Sequence, residues 1–153
     1  QSMKVVVDTN TVFSAILNTD SKIGHLLLNS EEYFDFVTPN LLRLEIEKYR
    51  QKLLAISKLT TEQLEESIFQ IFNCITFISE EQIPFEIWQK VLPIVRDVDM
   101  DDIAFIALSE FLDVRLWTGD KVLIEGTEAK GFTRCISTKE MLEWRQELEI
   151  KKK

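Results

Sequence analysis

Two aspartates, Asp8 and Asp120, stand just past the ends of apolar stretches of the chain. Asp8 closes the stretch Lys4-Val5-Val6-Val7-Asp8, and Asp120 closes a near copy of it, Leu116-Trp117-Thr118-Gly119-Asp120. In an open α/β sheet the carboxyl ends of parallel strands face the ligand crevice, so two strands that end in Asp would bring negative charge to one place. Like charges gathered there would need a cation.

Two further carboxylates, Glu45 and Asp102, stand on segments with helical spacing that could reach the same crevice. Three or four carboxylates brought together cannot all stay ionised without a counter-charge, so either their pKa values rise or a hard cation binds. Oxygen ligands without His or Cys favour Mg²⁺ or Mn²⁺ over zinc. Such a metal can orient water, lower the pKa of that water and stabilise charge on a phosphate. The predicted chemistry is therefore phosphodiester hydrolysis.

Five short apolar stretches predict the strands that would position these acids. The first, residues 4–8, is continuously apolar and β-branched apart from Lys4, as expected of a central parallel strand that is covered on both faces. The other predicted strands are residues 34–38, 76–78, 115–118 and 134–136. Thr9, Asn10 and Thr11 then offer caps for the helix that follows the first strand.

Helical spacing of apolar residues predicts the connecting helices. Pro39 is suited to the first position of a helix that contains Glu45, and Ser137 with Glu140 forms a capping box. Gly126 and Gly131 predict a loop. The predicted helices cover residues 12–17, 23–28, 39 to about 57, 61–72, 84–94, 103–111 and 137–148.

The alternation of strands with helices predicts a three-layer α/β/α sandwich with a mostly parallel central sheet. The length of 153 residues fits one domain, which we place at residues 3–149. Residues 1–2 precede Met3, a natural initiator, and are interpreted as residues added for expression. Residues 150–153 are interpreted as a basic tail.

The composition limits the functions that the chain could have. Its net charge of -8 counts against a protein that holds nucleic acid by bulk electrostatics, although local cationic contacts remain compatible with it. The single histidine excludes mechanisms that need two. Because no apolar stretch is long enough to cross a bilayer and no secretory signal precedes the first strand, we expect a cytoplasmic protein without a membrane partner.

The acidic residues and their neighbours resemble the PIN domain, a family of metal-dependent ribonucleases that includes toxins of bacterial toxin-antitoxin pairs. The resemblance extends from Val5 to Thr138. It rests on four pieces in order: Val6-Val7-Asp8-Thr9-Asn10; Thr38-Pro39 followed by Leu44-Glu45-Ile46; Asp99-Met100-Asp101-Asp102 followed by Ile103-Ala104-Phe105-Ile106-Ala107-Leu108; and Thr118-Gly119-Asp120. Each piece alone is weak evidence, but the four together at these distances are fairly specific.

The resemblance implies roles for particular residues. It makes four acids the catalytic quartet, of which Asp8, Asp102 and Asp120 would hold the metal: Asp8, Glu45, Asp102 and Asp120. Asn10 would steady Asp8, and Thr118 would place a hydroxyl near the water at the metal. The resemblance also implies an RNA substrate, a parallel α/β/α fold, a homodimer and, for a toxin, an antitoxin protein that occupies the active groove.

The third piece leaves the choice of ligand open because it and the residues just before it hold four aspartates: Asp97, Asp99, Asp101 and Asp102. The alignment of the following apolar residues favours Asp102. Asp99 lies one helical turn before Asp102 and is a possible additional ligand, whereas Asp101 is expected to point away from that face.

Three functions are compatible with these features. The leading hypothesis is a Mg²⁺- or Mn²⁺-dependent endoribonuclease that uses metal-activated water. The second is a non-catalytic PIN-like module that binds RNA or protein, which the net charge favours. The third, a phosphoryl-accepting receiver-like domain, fits worse because Asp8 stands without a paired acid and Lys121 lies directly beside Asp120.

Overall fold

The computed structural model describes residues 2–153 and contains a five-stranded parallel sheet. Its strands are β1 (Met3–Val7), β2 (Phe34–Pro39), β3 (Ile75–Ile78), β4 (Arg115–Trp117) and β5 (Cys135–Ile136), in the order β3-β2-β1-β4-β5. Every pair of neighbouring strands in this sheet is parallel. The predicted α/β class with a mostly parallel sheet is confirmed. Gln1, which we interpreted as an added residue, lies outside the described residues.

Helices connect the strands, as expected for parallel neighbours. They are α1 (Thr9–Leu17), α2 (Lys22–Leu28), α3 (Leu41–Lys48), α4 (Arg50–Ile56), α5 (Thr61–Phe72), α6 (Phe85–Val95), α7 (Ile103–Leu112), α8 (Lys121–Glu128) and α9 (Thr138–Lys152), with short 3-10 turns at Glu80–Gln82 and Met100–Asp102. Within residues 2–153, none of these helices combines the length and the apolar character needed to cross a membrane.

The central position of β1 follows from its composition. Val5, Val6 and Val7 are all fully buried, and β1 pairs with β2 on one side and with β4 on the other. The chain builds β1, β2 and β3 in one direction and then crosses over to add β4 and β5 on the opposite side. The switch point lies between β1 and β4, where ligand crevices form in such sheets. The expected proximity of the strands that precede Asp8 and Asp120 is therefore confirmed.

The prediction of one helix from Pro39 to about Ser57 is wrong at its start and in its middle. Pro39 is instead the last residue of β2, in register with Ile78 of β3, and the Asn40 N–H donates to the Ile78 carbonyl at 3.1 Å. This pairing delays the helix until Leu41. Tyr49, whose φ of -103° and ψ of 11° depart from helical values, then separates α3 from α4.

Two predictions near the C-terminus also need correction. Gly126 lies inside α8, which Asp120 caps, rather than in a loop. A Cβ at this position would come within 2.7 Å of a Val98 methyl group, so the glycine allows α8 to pack closely there. Helix α9 begins with the predicted capping box of Ser137 and Glu140 but continues to Lys152 instead of ending at Leu148. Most of the predicted basic tail is therefore helical, and Lys152 pairs with Glu32 at 2.5 Å.

Candidate active site

One cavity of about 360 Å³ opens at the carboxyl ends of β1 and β4. All four acids of the predicted quartet line it, and Asn10, Asp99 and Asp101 line it with them. The volume falls within the range of roughly 300–1,000 Å³ that is typical of ligand sites. The remaining lining residues are Thr9, Phe13, Leu17, Tyr49, Lys52, Leu53 and Ile56.

Asp8 is held rigidly at the point where β1 becomes α1. It is the N-cap of α1, and its Oδ1 accepts a hydrogen bond from the Thr11 N–H at 2.8 Å. Its exposed fraction is only 3%. The expectation that Thr9, Asn10 or Thr11 would cap this helix is therefore wrong: Asp is itself a strong N-cap residue, and it stands one position earlier.

Asp120 occupies the equivalent place after β4. It is the N-cap of α8, with its Oδ1 accepting from the Leu123 N–H at 3.1 Å. The fully buried hydroxyl of Thr118 accepts from the Asp120 N–H at 3.1 Å, and the same side chain lowers the pKa of Asp8. Thr118 thus links the two aspartates.

Asn10 lies at the exposed rim of the cavity. Among residues 2–153, no hydrogen bond joins its side chain to Asp8, whose hydrogen bonds come from Thr11 and Thr118. Its support of Asp8 stays a prediction.

Glu45 reaches the cavity from α3. Its Oε1 accepts a hydrogen bond from the Thr9 hydroxyl at 3.0 Å, which ties the first residue of α1 to the middle of α3. Sequence reasoning treated Thr9 only as a possible cap. The position of Thr9 directly after Asp8 indicated that it could lie near the site. Its hydrogen-bond partner, Glu45, could not be predicted, because it depends on how α1 and α3 pack.

The acidic segment before α7 brings three aspartates to the cavity. Asp99 caps the 3-10 turn Met100–Asp102, with its Oδ1 accepting from the Asp101 N–H at 2.9 Å, and Asp102 is the N-cap position of α7. Asp101 was expected to point away but also lines the cavity, on the side of Glu45. The physical reason is that this segment forms a 3-10 turn instead of the first α-helical turn of α7.

The electrostatics of the cavity are those of crowded carboxylates. Burial, followed by repulsion from Asp99, Asp8, Asp120 and Glu45, raises the pKa of Asp102 to about 7. Burial also raises the pKa of Asp8, against the lowering effect of its hydrogen bonds. The pKa of Glu45 is raised by burial, and its hydrogen bond with Thr9 works in the opposite direction.

The donor set fits a hard divalent cation. All the side chains in question offer oxygen, the ligand atom that Mg²⁺ and Mn²⁺ prefer, and a cation would offset the repulsion that raises the pKa of Asp102. Within residues 2–153, no group of three or more His, Cys, Asp or Glu side chains is arranged closely enough to hold a metal ion. The carboxylates would therefore have to move closer together around a bound ion.

The other half of the cavity is apolar. Phe13 and Leu17 lie on α1. Tyr49 is the residue just before α4, and Leu53 and Ile56 lie on α4. The sequence did not reveal this half, because residues 39 to about 57 were predicted as one continuous helix in which Tyr49 and Leu53 had no separate role. The spacing of Tyr49, Leu53 and Ile56 was a usable signal, but the same spacing describes a core-facing helix.

The comparisons with known proteins agree with the fold and the motifs. The family model for the PIN domain matches residues 6–147, so the chain belongs to the PIN domain family, whose members are generally nucleases. A comparison with curated protein sequences gave no significant match.

Two solved structures share the fold. VapBC2 from Rickettsia felis, whose crystal structure was determined bound to a DNA fragment from its promoter, has a TM-score of 0.68 and 12% identity, covering 88% of this chain and 98% of that one. PAE2754 from Pyrobaculum aerophilum has a TM-score of 0.64 and 13% identity, covering 94% of this chain and 90% of that one. At these identities the likeness concerns the fold.

Proposed function

We propose that the protein is a metal-dependent endoribonuclease that hydrolyses phosphodiester bonds in RNA. The observation that carries this proposal is the meeting of Asp8, Glu45, Asp102 and Asp120 at one cavity, where their mutual repulsion calls for a cation. Membership of the PIN domain family supports the nuclease assignment.

The three aspartates would hold Mg²⁺ or Mn²⁺. Asp8 and Asp120 are suited to this role because each uses Oδ1 to cap a helix, which fixes the direction of the carboxylate. When bound, the metal supplies positive charge for the phosphate and lowers the pKa of water. Asp102, with a pKa of about 7, would bind the cation in competition with a proton.

Glu45 would align the attacking water. Its raised pKa makes it a better proton acceptor than an exposed glutamate, and its hydrogen bond from Thr9 fixes one carboxylate oxygen. The other oxygen is then available to accept a hydrogen bond from water. The cavity would admit a phosphodiester from the solvent side, since Asp99, Asp101 and Lys52 at its edge are exposed.

We further propose that the protein acts as the toxin of a toxin-antitoxin pair, as a homodimer controlled by an antitoxin protein. The support is the resemblance of the four sequence motifs to those of PIN toxins, together with the fold shared with VapBC2. Expression of the chain alone in a bacterial host should arrest growth, and the Asp8→Asn variant should relieve the arrest.

Cleavage of single-stranded RNA in Mn²⁺ tests the proposed activity. Asp8→Asn removes a charge but retains an oxygen that can cap α1, so the fold should persist while cleavage falls by roughly two orders of magnitude or more. Asp35→Asn is the matched control, because Asp35 pairs with Lys4 on the surface of β2 and does not line the cavity. Equal cleavage by wild type and Asp8→Asn would show that the assignment is wrong.

A non-catalytic PIN-like module that binds RNA or protein is the alternative. The net charge of -8 favours it. Such a module should bind no Mn²⁺ in a manner that depends on the cavity aspartates.

A further inference from the structure

The apolar half of the cavity is built by residues that face each other from two helices. Phe13 and Leu17 stand four residues apart on α1, while Leu53 and Ile56 follow Tyr49 at helical spacing along α4. Ile56 is 59% exposed even though it is a large apolar side chain. This wall is therefore open to a ligand as well as packed on the core.

Tyr49 stands at the boundary between the apolar and the acidic halves. Its ring packs edge-on against Phe13, with ring centroids 5.8 Å apart, and it is half-buried, so one part of the ring remains accessible. The Lys48 and Lys52 ammonium groups lie 5.3 and 5.9 Å from the centre of the ring. Both lysines are exposed and can leave the ring to meet a phosphate.

We propose that the Phe13–Tyr49 corner is a nucleobase subsite, which receives the base of a nucleotide next to the phosphate bound at the carboxylates. Tyr49 stacks on the base, Leu17 and Leu53 line its edge, and Lys52 pairs with a flanking phosphate. This subsite rests on the proposed function, because it names how the same cavity would hold single-stranded RNA.

A nucleotide fits this cavity better than an apolar peptide would. The acidic and apolar halves form one continuous space, so a phosphate held at the aspartates through a cation and the base of the adjoining nucleotide can occupy the same cavity. Lys52 lines this side of the cavity and Lys48 lies near the same ring, so both add positive charge where a phosphate backbone would leave the cavity. Aromatic stacking accepts any base, which suits single-stranded RNA.

Equilibrium binding of two labelled strands tests the subsite. One strand is a short single-stranded RNA, and the other is the same ribose-phosphate strand without bases; fluorescence anisotropy in Mn²⁺ gives both dissociation constants. All proteins carry Glu45→Gln, which keeps the three aspartates proposed to hold the metal and slows cleavage during the titration. The measured quantity is the ratio of the two dissociation constants.

The chain offers a matched control because it has two tyrosines. Tyr33 also has two cations near its ring, Arg145 at 4.9 Å and Lys152 at 5.5 Å, but it precedes β2 at the opposite edge of the sheet. Tyr49→Leu and Tyr33→Leu are thus the same substitution in similar surroundings. Tyr49→Phe keeps the aromatic ring and removes only the hydroxyl. A base preference that is lost in Tyr49→Leu but kept in Tyr49→Phe is therefore due to the ring.

With the subsite present, the RNA with bases should bind roughly 5- to 150-fold more tightly than the base-free strand. This preference should disappear in Tyr49→Leu and persist in Tyr49→Phe and Tyr33→Leu. Equal binding of the two strands by the parent protein, as expected if the apolar half holds a peptide, would overturn the subsite. So would a preference that Tyr49→Leu leaves unchanged.

The outcome is separate from that of the proposed activity. If Mn²⁺ supports no cleavage by the wild-type protein and the base preference still depends on Tyr49, the nuclease assignment fails and the subsite stands. If cleavage depends on Asp8 and the base preference is absent, the subsite fails and the nuclease assignment stands.

Discussion

The Thr9 hydroxyl donates a hydrogen bond to Oε1 of Glu45 at 3.0 Å, joining two residues that are 36 positions apart in sequence. Thr9 directly follows Asp8, so the same turn of chain that positions Asp8 also restrains Glu45. Movement of the start of α1 would therefore disturb two carboxylates together.

Replacing Thr9 by Val should raise the pKa of Glu45 further. The hydrogen bond lowers this pKa, whereas burial raises it, and Val removes only the lowering contribution. Loss of the bond should also reduce the free energy of unfolding by about 0.5–1.5 kcal/mol. NMR titration of the Glu45 carboxyl carbon measures the pKa. Thr9→Ser retains the hydroxyl and should restore it; an unchanged pKa in Thr9→Val would show that the bond is not formed in solution.

Thr118→Val should affect both stability and the metal site. Its buried hydroxyl accepts a hydrogen bond from the Asp120 N–H and lowers the pKa of Asp8. Its removal should therefore reduce the free energy of unfolding by about 1–3 kcal/mol and raise the pKa of Asp8. Thr38→Val is the matched control, since the buried Thr38 hydroxyl donates to the Val7 carbonyl at 2.9 Å and, within residues 2–153, forms no hydrogen bond with a carboxylate. Chemical denaturation and Mn²⁺ titration should show destabilisation in both variants and weakened metal binding only in Thr118→Val.

The metal-free protein should lose stability as the pH rises from about 4 to about 7. The pKa of Asp102 is raised from 3.8 to about 7, so between these values the folded state binds more protons than the unfolded state. The free energy of unfolding is thus highest at the acidic end of this window. Above about pH 7 it is reduced by the full cost of holding a charged Asp102 in the cavity. Melting temperatures measured across this range in a chelator should fall with pH.

Two variants isolate the contribution of Asp102. Asp102→Asn should reduce the fall of the melting temperature with rising pH. It should also raise the melting temperature near pH 8, because the amide carries no charge to repel its neighbours. Asp97→Asn alters an exposed aspartate that pairs with Lys130 and should leave the slope unchanged. Saturating Mn²⁺ should reverse the trend in the wild-type protein, and an Asp102→Asn slope equal to that of wild type would contradict the assigned pKa.

The sheet and the meeting of the acids could be predicted because local signals agreed with the global fold. The run of Val5, Val6 and Val7 favours a central strand, and a parallel sheet then places the residue after each strand at one edge. The Ser137–Glu140 capping box likewise uses only residues three apart. Such signals involve residues close together in sequence, so they can be recognised without knowing how the helices and strands pack.

The errors arose where a distant contact decides the local structure. Pro39 remains in β2 because Ile78 pairs with it, and the glycine at position 126 leaves room in α8 for Val98. The contact of Tyr49 with Phe13 depends in the same way on the packing of α1 against the α3–α4 junction. None of these three partners is visible in the flanking sequence, so local propensity favoured a helix start at Pro39, a loop at Gly126 and an unbroken helix through Tyr49.

Calorimetric titration with Mn²⁺ of wild type and Asp120→Asn tests most directly whether the carboxylates form a metal site. Asn can still cap α8, so the variant should fold and differ mainly by one charge. We predict saturable Mn²⁺ uptake by wild type, with proton release near neutral pH as Asp102 ionises, and loss of that uptake in Asp120→Asn. Absence of uptake by wild type, or equal uptake by the variant, would contradict the account.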